Sequence, residues 1–364
     1  MKVQEKYFDQ ATQATIKEKI KPLLDSVTNE KEKRLISEFW EKASAYFGQL
    51  FGIDRAIDQG LIGEDPASDI VIEETDAILE EGKKLEESID NPELIKKIKK
   101  LFRECGIPVG IKSEIVKHAF TKPSGYAGDY GIIEMVYNEK IISRGFGYCA
   151  DKRFLRDDYA RAVRSRKSKM REILTDYLHS ITSPGVEVLN IACGSSRELQ
   201  EMFDIATFDS SKKIKITLVD HDQEALDFSR NVLKNVPSNV EISFLKHSVY
   251  DYVKNPDPYR TILAGKDIVY TIGLADYIPD QPLKSLIAFF YSLLNHGGKL
   301  IIAHKDSKNY SPLAPDWWCD WTFHLRNEAE VIDIVKSSGI DNFKLSIVRE
   351  TTTNIIFFIM IEKE

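Results

Sequence analysis

Gly194 and Asp220 are the two residues in this chain whose types and spacing point most directly at chemistry. Gly194 lies in a turn of small residues (Ala192, Cys193, Ser195, Ser196) that follows an apolar run from Val186 to Ile191. Asp220 closes a second apolar run, Ile214 to Val219, twenty-six residues after Gly194. A strand, a turn of small residues, a helix and a second strand ending on an acid are the opening of a nucleoside-binding open α/β sheet. Small residues let the backbone approach a ligand, and the acid at the next strand's tip accepts both ribose hydroxyl protons. His221 follows that acid and is expected to edge the nucleoside.

Other candidates lie at later strand tips. Asp276 and Tyr277 follow the apolar run Asp267–Thr271, and His304 follows Lys299–Ala303, all expected at one mouth. His304 is a candidate base or orienting donor, set against the commoner role of a satisfied structural histidine. Three of the four tryptophans, Trp317, Trp318 and Trp321, stand together just beyond, with His324 after them. They read either as a dry aromatic wall beside a cation or as a plug in a seam between domains. Thr121–Tyr130 holds Gly125 and Gly128 around Tyr126, with Tyr130 close by. Such a glycine- and tyrosine-rich run is a shaped loop, read here as a lid or substrate wall.

These residues need elements to position them. The 364 residues allow two domains, and 43% hydrophobic composition allows a sizeable core. Residues 9–104 are charged and helical in period, with Ile16, Ile20, Leu23 and Leu24 on one stripe, and Gly106, Pro108 and Gly110 are read as ending the last helix. The expected division is a helical bundle over 1–115, a connecting lid segment over 116–165, and a nucleoside-binding domain over 166–364. Residues 151–180 read as one basic helix, from which Arg166 is placed to clamp a ligand carboxylate. After the second strand, strands and helices alternate. Phe343–Arg349 and Asn354–Ile361 are joined by too few residues for a crossover helix, so they must pair antiparallel.

A parallel sheet that closes with a reversed last strand resembles the class I S-adenosylmethionine-dependent methyltransferases; the Gly-x-Gly-x-x-Gly of nicotinamide-binding sheets is absent. The resemblance covers about residues 166–364. Val188 to Ser196 matches the first motif, Leu218 to Asp222 the second, Phe244 to Asp251 the third, Asp267 to Asp280 the fourth and Gly297 to Ala303 the fifth. Asn190 stands where the first motif usually has an acid, Ala192 where it has its first glycine, and Ser248 where the third has its adenine-side Asp. A narrower resemblance, to the bacterial 3-hydroxy fatty acid methyl ester synthase family, rests on residues 122–130, 161–166, 273–280 and 320–326. The fold it implies is an open, mostly parallel seven-stranded sheet with an antiparallel last strand, beside an N-terminal helical domain.

The resemblance implies S-adenosylmethionine as cofactor, held by Asn190, Ala192, Gly194, Ser195, Asp220, His221, Asp222, Ser248, Val249 and Ile272, with Arg166 on its carboxylate. It favours a small-molecule acceptor, a fatty or hydroxy acid converted to its methyl ester. Such an acceptor is ionised already and needs no base. Catalytic expectations fall on His304, Tyr126, Asp276 and Tyr277. Acceptor contacts are expected from Tyr130, Arg144, Arg164, Trp317, Trp318, Trp321, His324 and Arg326. The alternatives are N- or O-methylation of another metabolite with His304 as base, or a scaffold that has lost transfer. A net charge of −7 and the sequence Tyr270-Thr-Ile-Gly273 argue against a nucleic-acid acceptor. The four cysteines are widely spaced, so no metal site is indicated. No signal peptide or membrane span is read, which implies a cytoplasmic protein, with a homodimer through the N-terminal helices as one use of the bundle.

Overall fold

The computed structural model describes residues 7–364, which form two compact units. One runs up to Asp157 and adds Pro312–Thr322; the other comprises Asp158–Ser311 and Phe323–Glu364. The boundary therefore falls at 157/158 rather than 165/166, residues 116–157 of the expected lid segment fold with the bundle, and eleven residues of the C-terminal half belong to the N-terminal unit.

Among its described residues the first unit's regular elements are all helices: α1 (Gln10–Ser26), α2 (Glu30–Asp58), α3 (Glu64–Ser88), α4 (Pro92–Gly110), α5 (Glu114–Thr121), α6 (Tyr130–Asn138) and α7 (Phe146–Arg156). Asn29 and Asn91 cap α2 and α4 by accepting N–H bonds from their first turns. Helix α4 runs straight through Gly106 and Pro108, contrary to the sequence expectation. The reason is packing. A Cβ on Gly106 would lie 2.6 Å from the Trp318 ring, and one on Gly82 in α3 would lie 2.8 Å from Trp317. The glycines are slots for the two indoles. Phe102 lies at the centre of this core, with ring centroids 4.8 Å from Phe47, 5.2 Å from Trp317 and 5.7 Å from Trp318. The short helix bearing the tryptophans is fixed by Trp317 Nε1 donating to Glu86 at 2.6 Å, and by Lys99 bridging Glu86 and Asp316.

The second unit opens with α8 (Asp158–Ser180); the expected single basic helix breaks at Asp157. Its strands are β1 (Gly185–Ile191), β2 (Lys213–Asp220), β3 (Val240–Lys246), β4 (Lys266–Thr271), β5 (Leu294–Lys305), β6 (Phe343–Arg349) and β7 (Ile356–Lys363). They lie in the order β3-β2-β1-β4-β5-β7-β6, with β7 antiparallel to both its neighbours. This is the expected seven-stranded, mostly parallel sheet with an antiparallel last strand. Between strands run α9 (Arg197–Ile205), α10 (Gln223–Val232), α11 (Val249–Lys254), α12 (Pro256–Leu263), α13 (Asp280–Ser292), α14 (Leu313–Cys319, the tryptophan helix of the first unit) and α15 (Glu328–Lys336). Leu189, Ile191, Val269, Leu300, Ile302, Phe357 and Ile359 form one apolar face, packed against Leu283, Leu286, Ile287 and Phe290 of α13. Strand order reverses between β1 and β4, and the crevice outside the strands' carboxyl ends at such a point is where open sheets bind ligands. Among the described residues no helix is long and apolar enough to cross a membrane.

Candidate active site

The turn after β1 is built on three left-handed residues: Ala192 (φ 54°), Gly194 (φ 53°) and Ser196 (φ 50°). It is pinned from below. Cys193 N–H donates to the Val219 carbonyl, and Ser229 Oγ donates to the Gly194 carbonyl at 2.8 Å. The Gly194 N–H donates at 2.9 Å to Asp220 Oδ2, and the Asp222 N–H donates to Asp220 Oδ1 at 3.0 Å. Asp220 is therefore buried, fixed in rotamer and joined to the loop that would lie over a ligand. His221 is exposed, and its hydrogen bond to Asp220 raises the imidazole pKa despite partial burial. A Cβ on Gly194 would meet nothing within 4 Å, and the buried Oδ2 of Asp222 has no hydrogen-bond partner. Open space beside the loop and an unused acceptor at the β2 tip fit a hydroxyl-bearing sugar. Ser248 caps α11 and Val249 starts it, just past β3, while Ile272 is buried beyond the β4 tip.

Asn190 does not stand alone in place of an acid. Its Nδ2 donates at 3.0 Å to Glu198 Oε1, which also accepts the Tyr270 hydroxyl at 2.9 Å. Asn190 and Tyr270 are register partners across the β1–β4 ladder, so Glu198 spans the two tips at the strand-order reversal. Glu198 is buried, and burial pushes its carboxyl pKa up, against the pull of its own N–H, Tyr270 and Arg166. Sequence reading missed it because it stands eight residues from Asn190, beyond the loop. Arg166, buried on α8, lies beside the same place: a Cβ on Gly273 would meet its guanidinium at 3.7 Å.

The tips of β4 and β5 carry a second buried group. Lys305 Nζ lies 2.6 Å from Asp276 Oδ2, and the Lys305 N–H donates to Asp276 Oδ1 at 3.0 Å. The ammonium sits 3.9 Å from the Phe323 ring centroid, 4.9 Å from Tyr159 and 5.6 Å from Tyr277. Burial pulls its pKa down to about 8, even with Asp276 opposing. Burial would raise Asp276, but Lys305 and His304 more than offset it and hold the carboxyl well below its usual range. Side chains alternate along β5, so Lys305 occupies the position expected of His304.

His304 stacks on Phe357 and its Nδ1 also comes within 3.3 Å of Asp276 Oδ1, with both nitrogens engaged. Nδ1 lies 2.7 Å from the Lys305 carbonyl and must donate; Nε2 lies 3.2 Å from Arg326 Nη1 and must accept. The ring is neutral, and burial lowers its pKa further. The expected role of base is corrected on this ground. Arg326 is corrected as an acceptor anchor as well. All five of its donors are taken, by Asp280, the Ala275 and Ile278 carbonyls and His304. It ties down the segment after β4.

Trp317, Trp318 and Trp321 fold into the helical unit, with Trp317 and Trp321 each 1% exposed, so they form no open wall. Tyr126, Tyr130 and the exposed Arg144 also belong to that unit. The 121–130 loop is closed by Asp129, which caps α6 through Ile132 N–H and pairs with His118 Nε2 at 2.7 Å. His324 is exposed; its N–H donates to the Asp276 carbonyl. Arg164 is half-buried on α8. The structure thus gathers Asn190, Ala192, Gly194, Ser195, Asp220, His221 and Asp222 at the β1 and β2 tips, and Asp276 and Tyr277 with Lys305 farther along the edge.

No protein-family model matches the chain, and no curated protein matches it. Among solved structures it is similar to a possible exported protein from Bordetella parapertussis (17% identity over 65% of this chain and 79% of that one, TM-score 0.48). It is also similar to magnesium protoporphyrin IX methyltransferase from Synechocystis PCC 6803 (10% identity, 57% and 85%, TM-score 0.41). A third is the N-methyltransferase NodS from Bradyrhizobium japonicum WM9 (13% identity, 54% and 96%, TM-score 0.37). Likeness at this level carries no argument about substrate.

Proposed function

We propose that this chain is an S-adenosylmethionine-dependent methyltransferase that esterifies a small carboxylic acid. The observation that carries the reading is the bond from Gly194 N–H to Asp220, which fixes a buried carboxylate at the β2 tip beside an open glycine turn. Asp220 and Asp222 would take the ribose hydroxyls, Ser248 and Val249 would flank the adenine, and Arg166 would pair with the cofactor's carboxylate. When bound, the cofactor supplies a sulfonium-borne methyl group open to in-line displacement.

The chain's own residues then have to position an acceptor and exclude water. Tyr159, Tyr277 and Phe323 gather round the Lys305 ammonium at the β5 tip, and dry surroundings strengthen attraction between a carboxylate nucleophile and a cation. A carboxylate needs no proton removed. With both His304 nitrogens engaged, the reading that needs that residue as base loses its support.

Titration calorimetry with S-adenosylmethionine and its demethylated product, with NADH as control, tests the cofactor. Binding of the first two alone is expected; binding of neither would make the sheet a scaffold. Turnover with fatty and hydroxy acids should stay flat above neutral pH. A rise with an apparent pKa near 7 would overturn the preionised acceptor.

A further inference from the structure

Glu198 is a buried acid for which the proposed transfer has no use so far, and its place in the sheet is specific. It is held by the two strands between which the strand order reverses, β1 through Asn190 and β4 through Tyr270. Both donors reach the same oxygen, Oε1, so neither occupies Oε2. The buried Arg166 guanidinium lies beside Gly273, two residues past the β4 end. One buried acid and one buried arginine at a ligand crevice make a site of mixed charge, complementary to a zwitterion: an ammonium for the acid, a carboxylate for the guanidinium. The turn itself brings no charged side chain to the ligand, since it consists of Ala192, Cys193, Gly194, Ser195 and Ser196.

We propose that Glu198, oriented by Asn190 and Tyr270, is the binding residue for the cationic amino-acid end of the nucleoside ligand. The inference rests on the methyltransferase reading and adds to it a specific residue for the cation. Asn190 is then a positioning residue: its amide holds the carboxylate in place and carries no charge of its own. Glu198 offers its carboxylate from the first turn of α9 rather than from a strand tip.

The test is calorimetric titration of the full chain with three probes: S-adenosylmethionine, S-adenosylhomocysteine and 5′-methylthioadenosine, which keeps the nucleoside but lacks the amino-acid end. Glu198→Gln should weaken the first two by about tenfold or more and leave the third within about twofold. The unchanged third probe also reports an intact fold. Adding Asn190→Asp to Glu198→Gln returns a carboxylate to the crevice and should recover most of the lost affinity for the first two. Equal weakening of all three probes by Glu198→Gln, or weakening of none, would overturn the proposal. If the unaltered chain bound none of the three, the methyltransferase reading itself would fail, and this inference with it.

Discussion

His304 accepts from Arg326 Nη1 through Nε2 while its Nδ1 meets the Lys305 carbonyl, so a histidine at a strand tip is spent on structure. His304→Asn should therefore leave the pH profile of turnover unchanged. It should lower stability by roughly 1–3 kcal/mol, the cost of unsatisfied buried partners. Urea unfolding beside a pH–rate series separates the two effects, and loss of a rising acid-side limb from the profile would restore His304 as a base.

Lys305 and Asp276 stabilise each other only as a pair. Lys305→Met strands a buried carboxylate and should cost about 3–5 kcal/mol, whereas Lys305→Met with Asp276→Asn removes both charges and should cost much less. The pH dependence follows from the lysine pKa, which falls from 10.5 to about 8 on folding. Between those values the unfolded chain holds a proton that the folded chain lacks, so this group adds stability as pH rises through that window. Asp276 does the opposite at the acid end: its contribution is full above the ordinary aspartate pKa and is lost as pH falls toward its depressed folded value. Denaturation at pH 7, 8.5 and 10 should show the alkaline gain in the natural chain and its absence in the double variant.

Ala192 holds a φ of 54°, which costs an L-residue about 1 kcal/mol or more, so Ala192→Gly should leave stability unchanged or raise it by up to ~1 kcal/mol. Gly194→Ala should lose about 1 kcal/mol from conformation alone, because its Cβ meets no neighbour. The same Cβ would project into the open space of the turn, so nucleoside affinity should fall far more than stability. Melting curves with and without S-adenosylmethionine make the comparison.

Asp220→Ala removes the acceptor of two backbone N–H groups and the proposed ribose contact. Affinity for S-adenosylmethionine and for 5′-methylthioadenosine should both fall by about tenfold or more, since both carry the ribose. Calorimetry giving values within a fewfold of the natural chain would mean that the β2 tip has been misassigned.

Gly82→Ala drives a Cβ to 2.8 Å from the Trp317 ring, while Gly63→Ala meets nothing nearer than 3.8 Å. The first should lose roughly 1–3 kcal/mol despite alanine's better helix propensity, and shift the tryptophan emission. The second should fall within about 0.5 kcal/mol of the parent chain.

The parts of this fold that depend on near neighbours were legible in the sequence. The β1 turn, the acid at the β2 tip and the antiparallel pairing of β6 with β7 all follow from strand period and short connections. What failed depended on register or on distant contacts. Leu300 to Ala303 is continuously apolar, so nothing local says which of His304 and Lys305 turns toward Tyr159; it is Lys305 that does. Gly106 and Pro108 look like helix breakers until a tryptophan two hundred residues away fills the space the glycine leaves. The tryptophans' place after a strand tip leaves both a wall beside a cation and a plug between domains open in the sequence; their ring partners are Phe39, Phe47 and Phe102 of the bundle. Glu198 escaped notice because its meaning depends on Asn190 and Tyr270, which meet only once β1 and β4 are side by side.

The slot for α14 sets an order of events during synthesis. When residue 157 leaves the ribosome, the bundle still lacks Trp317, the indole that Phe39 and Phe102 enclose in the finished chain. Its core closes only after roughly 150 more residues have emerged, so the unit begun first is among the last completed. Until then a nascent chain carries an open aromatic groove shaped for its own later segment, and a chain cut short before Pro312 would carry it permanently.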